Sequence, residues 1–284
     1  MSVPLQFETP SALEFFATLV ADDASISVLE AAVAVAQDES PELDVQGVLA
    51  QVDELAQRLC RRLPADAAPL QRLRLLNQYF FHELGFAGNV NDYYDPRNSL
   101  LPAVLQTRRG IPLTLALVYI EIATQAGLRA HGVSFPGHFL VKLRMPRGEV
   151  IVDPFSGRSL TRDELEERLL PYRRQRGESG EDEVPLGLYL QPAPARDVIA
   201  RLLRNLKEIH RNTLDWSRLL AVQRRLVIVQ PEEWVEYRDL ALVLAQLGRH
   251  AEACAEMVTY LKHCPDADDV RALRRELARW RRAH

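Results

Sequence analysis

The sequence predicts an α+β protein: a mostly helical chain with a small antiparallel sheet near its middle and a helical repeat region towards its carboxyl end. Three observations support this fold class. Residues 112–126 are apolar nearly all round, as in a helix inside a domain. Two β-prone runs follow, at 138–143 and 150–152, with turn-forming residues between them. Pro231 and Pro265 then stand 34 positions apart, a spacing typical of helical repeats.

The amino-terminal region, residues 1–84, is predicted to form helices that pack on the segment after it. Ser11 is a suitable N-cap, with Glu14 three residues later, which is the spacing of a capping box. Three further amphipathic runs predict helices, and turn-forming residues separate them. These runs are 25–37, 45–63 and 70–84.

The central helix is predicted to begin at Pro112, whose missing amide suits a first helical position, and to end before Gly127. His138 is expected to open the first strand and Asp153 to close the second. A hairpin centred between Met145 and Pro146 places these two side chains directly opposite each other, where a carboxylate can orient an imidazole.

The register of this hairpin stays open. A tighter turn, at Arg147 and Gly148, sets Asp153 opposite Lys142 instead. His138 therefore has two interpretations: a site residue oriented by Asp153, or a structural hydrogen-bonding group at a strand start. Asp before Pro is also a common way to begin a turn.

A helix start that faces a His and an Asp is the layout of an acyl-transfer site, yet the residues at that start are Leu113 and Thr114 instead of Cys. An alcohol ionises much less readily than a thiol, so Thr114 needs an aligned base and an oxyanion hole in order to attack. Its hydroxyl can also bond a carbonyl one turn back in the helix. We favour this local hydrogen bond over a working nucleophile.

The polar loop from 86 to 99 and two arginines before the central helix supply candidate ligand-binding residues. Long polar loops inside compact domains are often functional, although Asn and Asp side chains also simply form turns. Arg108 and Arg109 precede a helix start, which attracts a carboxylate or phosphate, but adjacent arginines more often lie on a solvated surface. The candidates in the loop are Asn89, Tyr93, Tyr94 and Asn98.

The repeat region begins after a charged stretch, RRQRGESGEDE, and a Pro-rich connector. Gly248 falls in the turn of the 34-residue repeat, and one and a half to two repeats need further packing to be stable. The chain thus divides into an amino-terminal helical region, a core, a connector and a repeat domain. Their predicted bounds are 1–84, 85–170, 171–197 and 198–284.

Composition narrows the classes of function. The formal net charge is −4, unlike the clearly basic domains of most nucleic-acid-binding proteins. The three cysteines are scattered and make neither a disulfide framework nor a zinc pattern, which favours a reducing cytoplasm. We expect no metal and no cofactor, because no metal cluster, phosphate-binding Gly loop or dinucleotide motif occurs. No targeting segment or membrane span is predicted, so a cytoplasmic location is expected.

The order of helix, His strand and Asp strand resembles the transglutaminase-like core, one of the papain-like folds. More closely, the chain is similar to the SirB-type bacterial proteins, which join such a core to tetratricopeptide repeats. The resemblance implies that Thr114, His138 and Asp153 stand at the places of the acyl-transfer Cys, His and Asp. Proteins of this type typically carry Ser or Thr at the Cys position. The segments that carry the likeness are LNQYFFHELGFAGNVNDYYDPRNSLLPAVLQTRRGIPLTLALVY, GVSFPGHFLVKL, VDPFSG and RLLRNLK.

Two functions follow as hypotheses. The preferred one is a non-catalytic transglutaminase-like protein that binds a peptide or protein partner through its cleft and repeat surface. The resemblance also implies a role as a regulator of gene expression, without direct binding of nucleic acid. The alternative is an amide or ester hydrolase, or an acyl transferase, with a triad of Thr114, His138 and Asp153.

Overall fold

The computed structural model describes residues 10–177 and 183–282. The first nine residues, and five positions of the predicted charged stretch RRQRGESGEDE, lie outside this range. The chain forms two compact units. The core unit comprises residues 28–33 and 44–198, and the repeat unit comprises 34–43, 199–282 and the described residues up to Ser27. The four segments that the sequence predicts are finer than these units, and their bounds stay a prediction.

The core unit is α+β. Several of its helices begin at N-caps or prolines that are recognisable in the sequence, such as Asp44, whose carboxylate accepts from the Gly47 amide. Two short helical turns, 78–83 and 96–99, lie between them. The helices are α2 (Val28–Ala34), α3 (Val45–Cys60), α4 (Pro69–Asn77), α5 (Leu101–Thr107), α6 (Pro112–Gln125), α7 (Arg162–Arg176) and α8 (Leu186–Tyr189).

Helix α6 lies at the centre of this unit and confirms the predicted buried helix. Pro112 occupies its first turn, and Gly127, with φ of 78°, follows its end. Ten of its residues are buried, and it packs against the sheet. Two-residue strands β1 (Ala87–Gly88) and β2 (Arg109–Gly110) pair in parallel just before it.

The sheet has four antiparallel strands in sequence order. Its inner face carries Ala130, Val141, Leu143 and Val152, all buried, and lies on the side of α6. Side chains on a strand alternate between the two faces, so the residues between these point outwards. The strands are β3 (Arg129–Val133), β4 (Leu140–Met145), β5 (Gly148–Asp153) and β6 (Arg158–Leu160).

The sheet differs from the prediction in three details. The strand β3 (Arg129–Val133) precedes both predicted β-prone runs, and its alternation is weak because its inner-facing residues, Ala130 and Gly132, are poor strand formers. His138 does not open a strand: it follows Gly137, with φ of 68°, in a turn closed by its amide to the Phe135 carbonyl, 3.0 Å away. The hairpin pairs Met145 with Gly148 across a two-residue turn, so neither predicted register is correct.

The repeat unit is helical. Its first helix, α1 (Ala12–Leu19), confirms the predicted capping box, since the Ser11 hydroxyl accepts from the Glu14 amide and Glu14 accepts from the Ser11 amide. Gly248, with φ of 73°, lies in the predicted turn of the repeat. The remaining helices are α9 (Ala195–Asn212), whose first residues belong to the core unit, α10 (Trp216–Val229), α11 (Trp234–Gln246), α12 (His250–His263) and α13 (Val270–Arg282).

A buried arginine attaches α1 to the repeat helices. The Arg225 side chain is fully buried and donates to both carboxylate oxygens of Asp38, at 2.7 and 2.6 Å. It also donates to the Ala12 carbonyl and stacks 4.7 Å from the centre of the Phe16 ring. Because so few repeats bury too little apolar surface by themselves, this added helix completes the packing of the unit.

Candidate functional site

The structure brings His138 and Asp153 together. His138 Nε2 lies 2.8 Å from Asp153 Oδ1, although the register differs from both predictions. One step beyond the Val141–Val152 pair, Asp153 lies across from Leu140, and His138 lies two residues before Leu140, in the turn that precedes β4. The pair is therefore diagonal instead of directly opposite, and the turn at Gly137 aims the imidazole at the carboxylate.

Asp153 is nearly completely buried but well supplied with donors. Burial opposes its ionisation, yet hydrogen bonds from His138, the Phe155 amide and the Ser156 side chain outweigh this and lower the pKa of Asp153 to about 2. Arg168 on α7 adds its guanidinium 3.3 Å from Oδ2. An ionised Asp153 accepts the hydrogen of His138 Nε2, so Nδ1 is left to face another group. The His138 side chain is 22% exposed.

Thr114 has a different environment. Its side chain is fully buried, and its hydroxyl lies 2.7 Å from the Asn98 carbonyl and 3.2 Å from the Ile111 carbonyl. A hydroxyl has one hydrogen to donate, so both contacts draw on the same group. Ile111, Pro112 and Leu113 are buried as well, so the whole first turn of α6 is closed to solvent.

Gly110 permits this arrangement. A Cβ at that position would lie 2.7 Å from Thr114 Oγ1 and 3.2 Å from the Val104 side chain. A residue with a side chain there would push Thr114 away from the loop carbonyl. The glycine before the helix thus has a packing role.

The candidate residues in the loop 89–99 fall into two groups, one that holds the loop and one that is exposed. Asn89 and Asn98 hold the loop: Asn89 Nδ2 donates to Asn98 Oδ1 at 3.0 Å, and Asn98 Nδ2 donates to the carbonyls of Asp92 and Tyr93. These hydrogen bonds fit the interpretation that the Asn side chains form turns. Tyr93 and Tyr94 are 45% and 73% exposed, so they remain candidates for contact with a ligand.

These tyrosines lead towards the imidazole through a series of aromatic rings. Tyr94 meets Tyr93 edge to face at 5.4 Å, Tyr93 meets Phe155 at 6.0 Å, and Phe155 meets His138 at 6.3 Å. Gly88 makes room for Phe155, since a Cβ there would lie 2.3 Å from the ring. Val90, on the same loop, is 77% exposed. We call the side chains of Val90, Tyr93, Tyr94 and Phe155 the aromatic patch.

Arg108 and Arg109 do not converge on one ligand position. The Arg108 guanidinium lies 4.6 Å from the centre of the Phe86 ring, and burial lowers its pKa. Arg109 is exposed and donates to the carbonyls of Gly85 and Arg108. The backbone turns at Arg108, whose φ is 59°. Their anion-binding role stays a prediction.

Three residues around Asp153 are absent from the sequence prediction: Phe155, Ser156 and Arg168. The first two lie in the segment VDPFSG, in which the predicted site includes Asp153 alone. Arg168 lies fifteen residues beyond Asp153 on a helix rich in charge, where no spacing singles it out. Within residues 10–177 and 183–282, no group of three His, Cys, Asp or Glu side chains is placed to hold a metal ion. No described helix is long and apolar enough to cross a membrane.

Comparisons with known proteins agree with this architecture. Residues 46–204 match the family described as "Transglutaminase-like superfamily", and residues 206–278 match "Tetratricopeptide repeat". A UPF0162 protein of Xylella fastidiosa is 36% identical over 90% of both chains, and one of Pseudomonas aeruginosa is 35% identical over 65% of both.

Among solved structures, a crystal structure of menin that shows its binding site for the Mixed Lineage Leukemia protein overlaps 88% of this chain and 68% of its own. Its TM-score is 0.43 and its identity 11%, a likeness too weak to assign a shared architecture. The likeness to the sequence relatives is much stronger. On these matches, the chain belongs to the transglutaminase-like superfamily and, within it, to the SirB-type UPF0162 proteins that carry tetratricopeptide repeats.

Proposed function

We propose that this chain is a non-catalytic transglutaminase-like protein that binds a peptide or protein partner. The observation that carries this proposal is the state of Thr114, which is fully buried with its hydroxyl turned to the Asn98 carbonyl. A nucleophile must reach its substrate and hand its proton to a base. Thr114 does neither in this arrangement, because the loop carbonyl takes its hydrogen bond.

The aromatic patch supports a binding role for the core unit. Exposed aromatic side chains are enriched where proteins recognise one another, because they bury a large area and lose few rotamers. Tyr93 and Tyr94 lie on a loop that the Asn89 and Asn98 side chains already order, so little further ordering is needed on binding. His138 Nδ1, at the inner end of the aromatic series, offers a polar group beside the apolar surface.

The repeat unit contributes a second surface. Between α9, α10 and α11 lies a cavity of about 260 Å³ lined by Trp216, Leu219, Leu242 and Val243, with Lys207 at its side. Leu242 is 38% exposed there. Tetratricopeptide repeats commonly present such surfaces to extended peptides, and this supports a peptide or protein as the partner.

The enzyme hypothesis keeps one supporting observation, the His138–Asp153 pair. Activity profiling with libraries of acyl donors tests it on the natural chain, on Thr114→Cys and on His138→Ala. We expect no turnover from any of them, because the first turn of α6 is closed to solvent and a thiol at that position stays buried. Turnover in the natural chain that is lost in His138→Ala would overturn the proposal.

The binding proposal has its own test. Peptides selected from a random display library on the full chain are titrated against the natural chain, Tyr94→Ser and Leu188→Ser. Leu188 is 62% exposed in the same unit and lies outside the aromatic patch, so it serves as the matched control. We expect Tyr94→Ser to weaken binding about tenfold, as for a truncated interface anchor, and Leu188→Ser to leave it unchanged. Selected peptides that bind both variants equally would remove the patch from the proposal.

A further inference from the structure

The outer face of the four-stranded sheet has two halves of opposite character. One half is apolar and covered, because Val133, Leu140, Ile151 and Leu160 pack in one cluster with leucines of α7 and α8. The other half is polar and uncovered by these helices. It is formed by the side chains of Arg129, His131, Lys142 and Arg144, which we call the basic face.

Strand pairing forces the positive charges of the basic face close together. Arg129 stands directly opposite Arg144, and Lys142 lies two residues before Arg144 on the same side of the strand. Like charges directly across an antiparallel pair destabilise a sheet. Glu149, opposite Arg144 on the other neighbouring strand, offsets part of this charge, with its Oε1 3.3 Å from Lys142 Nζ.

The other three basic side chains of the face lack partners. Across residues 10–177 and 183–282, the side chains of Arg129, His131 and Arg144 make neither an ion pair nor a hydrogen bond. The face carries three positive charges, on Arg129, Lys142 and Arg144, and one negative charge, on Glu149. Two positive charges are therefore uncompensated, in a chain whose formal net charge is −4. Such an arrangement costs stability unless an anion binds there.

The basic face is concave as well as charged. A cavity of about 530 Å³ is lined by His131, Lys142, Arg144 and Glu149 from the strands, with Gln191 and Pro192 on its other side. The Ala193 amide donates to the Gly132 carbonyl at 2.9 Å and so fixes this second wall to the edge of β3. A neighbouring cavity of about 370 Å³ is lined by Arg129 and shares Arg144 with the first.

We propose that the basic face binds a small phosphorylated molecule. Its phosphoryl group lies among Arg129, Lys142 and Arg144, and its organic body occupies the larger cavity against Met145, Pro146 and Pro192. A phosphoryl dianion matches the two uncompensated charges, and guanidinium groups bind its oxygens in pairs. The cavity volume lies in the range of small-molecule sites. This site is independent of the proposed peptide binding, because it uses none of the residues of the aromatic patch.

A nucleic acid or acidic protein fits these observations less well. Proteins that bind nucleic acid usually present a clearly basic domain, whereas here the charge is confined to one half of one sheet face. The wall formed by Gln191 and Pro192 also favours a compact ligand over a long flat one. A small phosphorylated molecule therefore accounts for both the charge and the shape.

Isothermal titration of the full chain at low salt tests the proposal, with inorganic pyrophosphate, a sugar phosphate and adenosine diphosphate as probes. We expect saturable binding of at least one probe at one site. Arg144→Gln is expected to weaken it about tenfold or more, because a charge-assisted pair of hydrogen bonds is lost. Glu149→Gln is expected to strengthen it about threefold, since a competing carboxylate is removed. Arg61→Gln, which removes one charge from an exposed arginine elsewhere in the unit, is the matched control and leaves affinity unchanged.

The unliganded stability of the variants separates binding from folding. Arg144→Gln relieves a like-charge pair, so its thermal midpoint without probe is expected to equal or exceed that of the natural chain. Absence of saturable heat with every probe, or an equal loss in Arg61→Gln, would refute the site. Binding restricted to long polyanions such as heparin or transfer RNA would also refute it, and would assign the face to a macromolecule.

Discussion

The first turn of α6 and the His138–Asp153 pair both lie in the core unit, yet they differ in what can reach them. Thr114 is fully buried and bonded to a loop carbonyl. The His138 side chain is 22% exposed and meets the aromatic patch at Phe155. One region is closed and hydrogen-bonded within itself, whereas the other keeps a ring nitrogen available.

An imidazole and a carboxylate that lie together can also stabilise a fold, independently of acid–base catalysis. Asp153 also accepts from the Phe155 amide and lies beside Arg168, so it joins β5, the turn after it and α7. A carboxylate with this many donors stabilises the fold whatever the chemistry at His138. Stability measurements on the two regions therefore test how much each contributes to structure alone.

Asp153→Asn is expected to give the largest effect. The substitution keeps the shape but removes the charge that the His138 and Arg168 side chains share, so the free energy of unfolding should fall by about 3 kcal/mol. Urea denaturation of the full chain measures it. Asp66→Asn, at an exposed site in the same unit, is the control and should change stability by less than about 0.5 kcal/mol. Equal, small effects would mean that the pair is not structural.

The pH dependence of stability should show the same carboxylate. The pKa of Asp153 is lowered to about 2 in the folded chain, below its ordinary value, so the unfolded state binds the proton first as pH falls. Its contribution is complete above about pH 4 and is lost as pH falls towards 2, a change of about 2 to 3 kcal/mol. Denaturation midpoints from pH 5 to pH 2 measure this loss. A natural chain and an Asp153→Asn variant with parallel profiles would contradict it.

Thr114→Val should have a smaller effect. It removes the hydroxyl, but the Asn98 carbonyl still accepts from the Ile111 amide at 3.2 Å, so no buried acceptor is left without a partner. A loss of about 1 kcal/mol is expected. Thr124→Val on the same helix is the matched control, because its hydroxyl also bonds a carbonyl but is exposed, and it should be nearly neutral. A loss above about 3 kcal/mol for Thr114→Val would show that the loop depends on this hydroxyl.

Much of the fold was predictable because it rests on local signals. The helix α6 follows from Pro112, an apolar run and Gly127, and α1 follows from the Ser11–Glu14 capping box. The 34-residue spacing predicted the repeat, because one supersecondary unit recurs. A meeting of His138 with Asp153 was one of the two alternatives that the sequence left open, and the structure shows that the two side chains meet.

Features that depend on distant parts of the chain were not predictable in the same way. Both predicted registers of the hairpin were wrong, because the turn chemistry of Met145 to Gly148 permits several and only the packing of the two faces selects one. Arg168 reaches Asp153 from α7, and no sequence spacing indicates it. The partners of Arg108 and Arg109 likewise depend on the αL turn at Arg108.

The fold class and the buried central helix follow from the residues alone, because they depend on composition and on periods of a few residues. The burial of Thr114 and the partial exposure of His138 depend instead on how distant segments pack. Only the register of β3 and β4 decided that Arg129 faces Arg144. Burial and charge proximity arise when distant segments meet, and the local pattern of residues does not specify those meetings.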